Sequence, residues 1–535
     1  MHHDAEKLSQ WLAQLGQQSI EEAVENLHKC FDFFANAGLP APRLVPLLER
    51  VRATLPAEIA RLGKAYYADR PLPLAPAERS MHSSMQSLFD KLSNLYWECC
   101  LQFEGNAASD SRNRNQAGTL QRGVHAMVSR MIEDFRARQV ITSATWLTLR
   151  RMVEKAHALE IASIPTTDAL NAGQSSTIAT TYGRAVLLAA AQAGAMPARH
   201  LDATLALTGL LEPFIDCSWE EDDPPAPAAP QAPGATPSLK KTMRLEVLKT
   251  GRLRVLTVAG MRHFLNNTRL AGALTACSQK LAAGEPVASL DVLPISRTEV
   301  AGLLARLHRV WCGTAEIRTT PRERTNEDAS AASGTYAIYK LANGANFSIP
   351  KEFHVYSTSG RPGDAQAAKP SNLAETGDSR PWRILDRSGE GLRATRESEG
   401  GRLMRTCLMG IRTESAGELA EFSLGEVRWV QEDAAAASPA IAAGIKLLPG
   451  KVQAGIMRGF GGIDGKMYQD VAPAFILENK VAPKLVVPTG WWKEDRIIDF
   501  YQAGKISHYR MGEMILRGAD FETGRFTVEK NVPQR

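Results

Sequence analysis

The stretch Trp382-Arg383-Ile384-Leu385-Asp386-Arg387-Ser388-Gly389-Glu390-Gly391-Leu392-Arg393-Ala394-Thr395 decides how the C-terminal half of the chain is read. An apolar-rich run ends on Asp386, turn residues follow, and a second run opens at Leu392, which is the texture of two strands joined by a tight turn. Within it stands the pattern Asp-x-Ser-x-x-Gly. Asp386 and Ser388 at a strand end offer acceptors for amino and amide N–H groups, and Gly391 lets the backbone turn and come close to a ligand. The same residue types also build a plain β turn, so the pattern takes its meaning from its surroundings.

Those surroundings are β-rich. Residues 405–411, 424–430 and 441–448 read as further strands, and a second β group follows at 474–477, 484–487, 496–501, 507–516 and 521–528. The pair Thr523-Gly524 reads as a hairpin turn. The glycine-rich run 459–465 has no Lys-Ser/Thr behind it and reads as a flexible connector between the two groups. Residues 357–381 form a loop rich in Gly, Ser, Pro and Asp.

Upstream the periodicity changes. Ile20, Ala23, Val24 and Leu27 mark one helix face, as do Leu88, Leu92, Leu95 and Tyr96, and again Met127, Met131 and Phe135. Proline clusters at 40–46 and 71–76 punctuate the helices. Residues 1–218 therefore read as an α-helical bundle, a scaffold or docking surface for a protein partner. An acidic, proline-rich linker follows at 219–238, unable to bury a core. The segment 239–314 reads as helical and basic. Ser296 and Glu299 form a capping box ahead of a helix carrying Val300, Leu303, Leu304 and Leu307. Arg244, Arg252, Arg254, Arg262 and Arg269 are read as a solvated face, since no aromatic interleaving or DNA-binding motif accompanies them.

Composition narrows the function. A chain of 535 residues is too long for one core. At 44% hydrophobic and 23% charged it is globular rather than disordered, and a net charge of +5 argues against a protein that coats nucleic acid. Seven scattered cysteines with no CxxC pair suit a reducing compartment and give no zinc framework. No signal-peptide core follows Met1, and the most apolar window, 185–196, is shorter than the roughly 20 residues a bilayer requires, so a cytoplasmic protein without a transmembrane segment is expected. No metal spacing, nucleophile elbow or phosphate loop occurs, which leaves no catalytic residue, metal or cofactor to assign.

The order Asp-x-Ser-x-x-Gly at 386–391, then Gly425-Glu426-Val427-Arg428-Trp429-Val430, then Ala443-Gly444-Ile445-Lys446-Leu447-Leu448 resembles PilZ domains, small bacterial β-barrels that bind cyclic di-GMP. The resemblance spans 315–455, and the β group at 456–535 resembles the extra barrel of some flagellar-brake regulators. The family's second signature, Arg-x-x-x-Arg, is matched by Arg318-Thr319-Thr320-Pro321-Arg322, followed by Arg324. Planar guanidinium forks suit a phosphate diester and the acceptor edge of guanine. The resemblance implies a cyclic-di-GMP site of Arg318, Arg322, Arg324, Asp386, Ser388 and Gly391. One departure is the long interval from Arg322 to Asp386, for which the 357–381 loop and an inserted strand or hairpin at 335–356 account. The fold expected is thus multidomain α + β: a helical bundle, a PilZ-like barrel and a second small β-domain. The function expected is a cyclic-di-GMP receptor whose occupancy changes interdomain arrangement or partner binding. The alternative is a non-catalytic assembly protein with a degenerate, nucleotide-free barrel.

Overall fold

The computed structural model describes residues 5–64, 66–67, 69–103, 109–168, 175–220, 244–247, 252–256, 262–287, 295–313, 322–353, 379–413, 421–434, 438–463, 466–479 and 482–529. The chain divides into two compact units. The first is Met1–Ala68 with Ala75–Ile317, and the second is Asp69–Leu74 with Arg318–Arg535.

The first unit is helical from its start: α1 (Ala5–Leu15), α2 (Ile20–Asn36), α3 (Ala41–Gly63), α4 (Pro76–Gln102), α5 (Ser109–Arg136), α6 (Ser143–Ala158), α7 (Ile178–Ala190) and α8 (Ala198–Leu211). Local chemistry sets the helix starts. Ser19 Oγ accepts from the Glu22 amide at 3.2 Å while the Glu22 carboxylate accepts from the Ser19 amide at 3.1 Å, so two otherwise orphaned donors at the head of α2 are satisfied. The face predicted from Ala23, Val24 and Leu27 is buried, and Cys30, Phe31 and Phe34 continue it. These side chains share one core with α1, α3 and α4. A second core gathers α5 to α8 around Trp311, whose indole N–H donates to the Leu187 carbonyl at 2.8 Å. The short hairpin of β1 (Thr166–Thr167) and β2 (Ser175–Ser176) is tied down by a buried ion pair, Arg52 Nη2 to Asp168 Oδ1 at 2.6 Å.

Beyond α8 the sequence reading needs correction. Trp219 and Glu220 do not begin a linker; they end β3 (Asp216–Glu220), pairing with His263 and Arg262. The basic stretch after residue 239 is not helical at first. It enters β4 (Arg244–Val247), β5 (Arg252–Leu256) and β6 (Arg262–Asn266), in a sheet of order β3-β6-β5-β4. The signal was present: Arg244-Leu245-Glu246-Val247 and Arg252-Leu253-Arg254-Val255 alternate with period two. Only then come α9 (Thr268–Ala282) and α10 (Arg297–Cys312), the latter opened by the Ser296–Glu299 capping box. The rest of the acidic linker, from residue 221, lies outside the described residues.

The second unit holds two closed six-stranded barrels. The first comprises β7 (Glu323–Ser333), β8 (Arg380–Ser388), β9 (Gly391–Glu397), β10 (Leu408–Thr413), β11 (Phe422–Asp433) and β12 (Ala440–Leu447), with α11 (Thr335–Asn343) between β7 and β8. Its strands neighbour in the order β7-β8-β9-β12-β11-β10 and back to β7, all antiparallel. The second comprises β13 (Lys451–Ile463), β14 (Lys466–Glu478), β15 (Lys484–Pro488), β16 (Ile497–Gln502), β17 (Lys505–Arg517) and β18 (Phe521–Val528), in the order β13-β14-β15-β18-β17-β16. Numbered from its own first strand, each barrel runs 1-2-3-6-5-4. The two are copies in topology.

The barrels share a core. Ala332 and Ile338 from β7 and α11, Leu408 and Leu424 from the first barrel, and Phe475, Leu477, Val486 and Phe521 from the second form one buried cluster. Asp520, in the turn before β18, accepts from the Leu408 amide at 2.7 Å within this contact.

Three local expectations change here. Residues 335–343 are helix rather than strand, since Ala337, Ile338 and Leu341 fall on one helical face and Gly344, at φ 73°, supplies the left-handed cap. Thr523 and Gly524 are buried inside β18, opposite Val486 and Leu485, so they make no turn. Gly459 is paired with Asp470 inside the long β13–β14 hairpin rather than lying in a connector. The 357–381 loop falls outside the described residues up to 378.

Asp69–Leu74 is the part of the second unit that the sequence concealed. Between α3 and α4 in the chain, it lies on the first barrel. Leu72 and Leu403 exchange backbone hydrogen bonds at 2.8 and 2.6 Å. The Arg402 guanidinium donates to the carbonyls of Pro73 and Pro71 at 3.0 and 2.9 Å. The Leu74 amide donates to Glu432 Oε2 at 3.2 Å, and Glu432 is fully buried. Leu72 and Leu74 are themselves buried.

Candidate functional site

Asp386 reaches the outer wall of the first barrel through an irregularity. Trp382 and Ile384 on β8 point inward and are buried, so strict alternation would turn Asp386 inward as well. The pairing of β8 with β9 slips between Ile384 and Asp386, and that of β7 with β8 slips between Arg324 and Glu327. These bulges place an extra residue in the ladder and re-aim Asp386 outward.

Outward-facing Asp386 has Arg324 of β7 directly opposite on one side and Arg393 of β9 on the other. Directly opposed residues share a face, and Arg324 and Arg393 are exposed. Just before β7, Arg322 donates through Nη1 to Asp386 Oδ1, with the carboxylate only 20% exposed. One guanidinium is thus bonded to the acid, and two further arginines occupy the cross-strand positions on either side of it. Arg387, one residue on, pairs with Glu421 at 2.8 Å.

The turn at 389–390 is held from both sides. Ser388 Oγ donates to the Gly391 carbonyl at 3.1 Å, and the Leu447 amide of β12 donates to the Glu390 carbonyl at 2.9 Å. Glycine is required at 391 by space: a Cβ there would lie 2.5 Å from the Ile445 carbonyl oxygen.

The row continues across the wall. Arg393 faces Gly444 of β12, and Gly444 faces Trp429 of β11, where a third bulge between Val427 and Trp429 keeps the indole outside. The Trp429 indole lies against Gly444, where a Cβ would meet Nε1 at 2.0 Å. Trp429 is half-buried. From Asp386 to Trp429 is three strand spacings, roughly 14 Å of wall. Chemically, the row offers cations for an anion, acceptors for N–H donors, and an aromatic surface for a planar ring.

Of the residues expected from the sequence, Arg322, Arg324, Asp386, Ser388 and Gly391 come together at one end of this barrel. Arg318 lies outside the described residues. Arg393, Trp429 and Gly444 were not singled out as site residues, although Trp429 and Gly444 stand inside the two strand segments quoted with the motif. Among the described residues no cluster of His, Cys, Asp and Glu could hold a metal ion, and no helix is long and apolar enough to cross a membrane.

Comparison with known families addresses the other unit. Residues 6–223 match the family described as the N-terminal domain of the cyclic-di-GMP receptor FimW. The match takes in α1 to α8 and β3 and stops short of both barrels. That family is named for a receptor of cyclic di-GMP. No curated protein matches the chain.

Proposed function

We propose that this protein is a non-catalytic cyclic-di-GMP receptor whose site is the outer wall of the first barrel, a PilZ-like domain. One observation carries the reading: Arg322, from the end of the arm before β7, is already seated on Asp386 of the Asp-x-Ser-x-x-Gly hairpin. In this reading Arg322 and Arg324 take a phosphate of the ligand, with Arg318 joining from the arm. Asp386 accepts from a guanine; its two oxygens offer about four acceptor sites and Arg322 engages one. Trp429 and Arg393 supply the surface on which the second base lies. The FimW match supports the ligand class from independent residues of the same chain.

Energetics suit a reversible switch. Charge-assisted hydrogen bonds contribute ~1.5–3 kcal/mol each, so a few of them give an affinity that can still be reversed. The helical unit is the proposed docking surface for a protein partner, and the cytoplasm is where the ligand would be met.

Equilibrium binding of fluorescently labelled cyclic di-GMP to the full chain tests the reading, with GMP and GTP as competitors. Saturable binding displaced by unlabelled cyclic di-GMP but not by the mononucleotides is expected. Absence of saturable binding would leave the barrel as a passive element of an assembly protein.

A further inference from the structure

We infer that Asp69–Leu74 is a strap whose docking on the first barrel is thermodynamically linked to occupancy of the nucleotide site, an inference that rests on the cyclic-di-GMP reading above. The strap sits at the far end of the barrel from that site. Its partners are Leu403, Arg402 and Glu432, which follow β9 or close β11, whereas the site begins β9 at Gly391.

β9 joins the two ends directly. It starts at Gly391, whose carbonyl accepts from Ser388, and ends at Glu397. The next residue, Ser398, donates through Oγ to Glu432 Oε1 at 2.9 Å, while Oε2 of the same carboxylate accepts from the Leu74 amide. A buried carboxylate thus holds the end of β9 and the end of the strap together. Releasing the strap withdraws the Leu74 amide from this fully buried side chain, a cost that favours two discrete states over a continuous slide.

Two buried leucines, the paired Leu72–Leu403 backbone bonds, the Leu74–Glu432 bond and the Arg402 fork are among the contacts that hold the strap, and the ordering of a short segment opposes them. Strap and site bias the same strand, so linkage requires the effect to be reciprocal: whatever a docked strap adds to ligand affinity, bound ligand adds to strap docking. Docking pins the end of β9 and so favours the hairpin geometry the ligand needs. The chain passes from the strap into α4 at Pro76, so a change in strap docking is delivered to the first unit through the covalent chain.

The test uses the full chain. Amide hydrogen exchange of Leu72 and Leu403 is followed with and without cyclic di-GMP, and ligand affinity is measured by calorimetry for the wild type, Arg402→Ala and Leu72→Ala. Linkage predicts that saturating ligand slows both amides about fivefold or more. It predicts that either variant accelerates their exchange and weakens binding by a similar factor. Ligand that binds the wild type without slowing these amides overturns the linkage and leaves the nucleotide reading standing. So does unchanged or tighter binding in a variant whose strap exchange has risen. A wild type that does not bind cyclic di-GMP overturns both. Should a variant lose its folded circular-dichroism signal, the wild-type exchange measurement decides alone.

Discussion

Arg322 donates to the carboxylate of Asp386 across a separation of 64 residues in the chain. The intervening residues hold β7, α11 and the whole of β8 up to the acid, yet the two groups meet because β7 and β8 are antiparallel neighbours with Arg324 opposite Asp386. A long interval in sequence thus still leaves Arg322 at the hairpin.

Replacing Arg322 by alanine should weaken cyclic-di-GMP binding roughly 10–100-fold, the loss of one charge-assisted contact. The side chain is one-third exposed, so the ligand-free thermal midpoint should hardly move. Calorimetry and a thermal melt on the same samples separate the effects. Unchanged affinity would remove Arg322 from the site.

Gly391→Ala forces a methyl group against the Ile445 carbonyl at 2.5 Å, a backbone atom with no flexible end to yield. The β9–β12 pairing must shift, costing about 1–3 kcal/mol of stability and with it the hairpin geometry. Urea unfolding should show a lower midpoint, and cyclic-di-GMP affinity should fall at temperatures where the protein remains folded. Stability equal to the wild type would contradict the close approach described.

Trp429 and Gly444 make a pair that can be tested as a cycle. Gly444→Ala should displace the indole and lower stability, whereas adding it to Trp429→Ala should cost little more, because the clash has gone. Trp429→Ala alone should reduce ligand affinity by about tenfold, as loss of one base–aromatic stack does. Full additivity of the two stability losses would show that the ring does not rest on Gly444.

Asp520 carries a pH dependence. Burial between the barrels pushes its carboxyl up to about 6 from an ordinary 3.8, although the Leu408 amide opposes the shift. The folded state therefore holds the proton more tightly than the unfolded chain. The stabilisation is complete below 3.8 and is lost as pH rises through about 6. Asp520→Asn keeps an acceptor for Leu408 and cannot ionise. It should gain on the wild type by about 2 kcal/mol between pH 4 and pH 7.5, read as the difference of urea midpoints. A gap independent of pH would refute the assignment.

Legibility in the sequence followed the physics of each element. The strands at 382–386, 424–430 and 441–448 alternate or run apolar and lie where they were expected; the helix faces at Ala23–Val24–Leu27 and Val300–Leu303–Leu304–Leu307 are buried. Periodicity names a face but not its neighbours, which is why Arg393 and Trp429 went unread: they join the site through register with β8 and β12. The bulge that turns Asp386 outward has no compositional mark. The strap was invisible for another reason, since Pro71-Leu72-Pro73-Leu74 has the composition of a turn, and only tertiary pairing with Leu403 gives its leucines a place to be buried.

The circuit 1-2-3-6-5-4 has a consequence for synthesis. In each barrel the last strand to be translated, β12 or β18, fits between the third and the fifth, so neither barrel closes until its final strand is made. A nascent chain that has released residues only as far as Asp520 therefore presents the bare edges of β15 and β17, with the apolar slot for Phe521 open. Unpaired edges of this kind recruit other strands. Because the first barrel offers a gap of the same order until β12 arrives, the late strands must be kept from the wrong slot; β12 and β18 are both eight residues long, so their dissimilar side chains supply that discrimination.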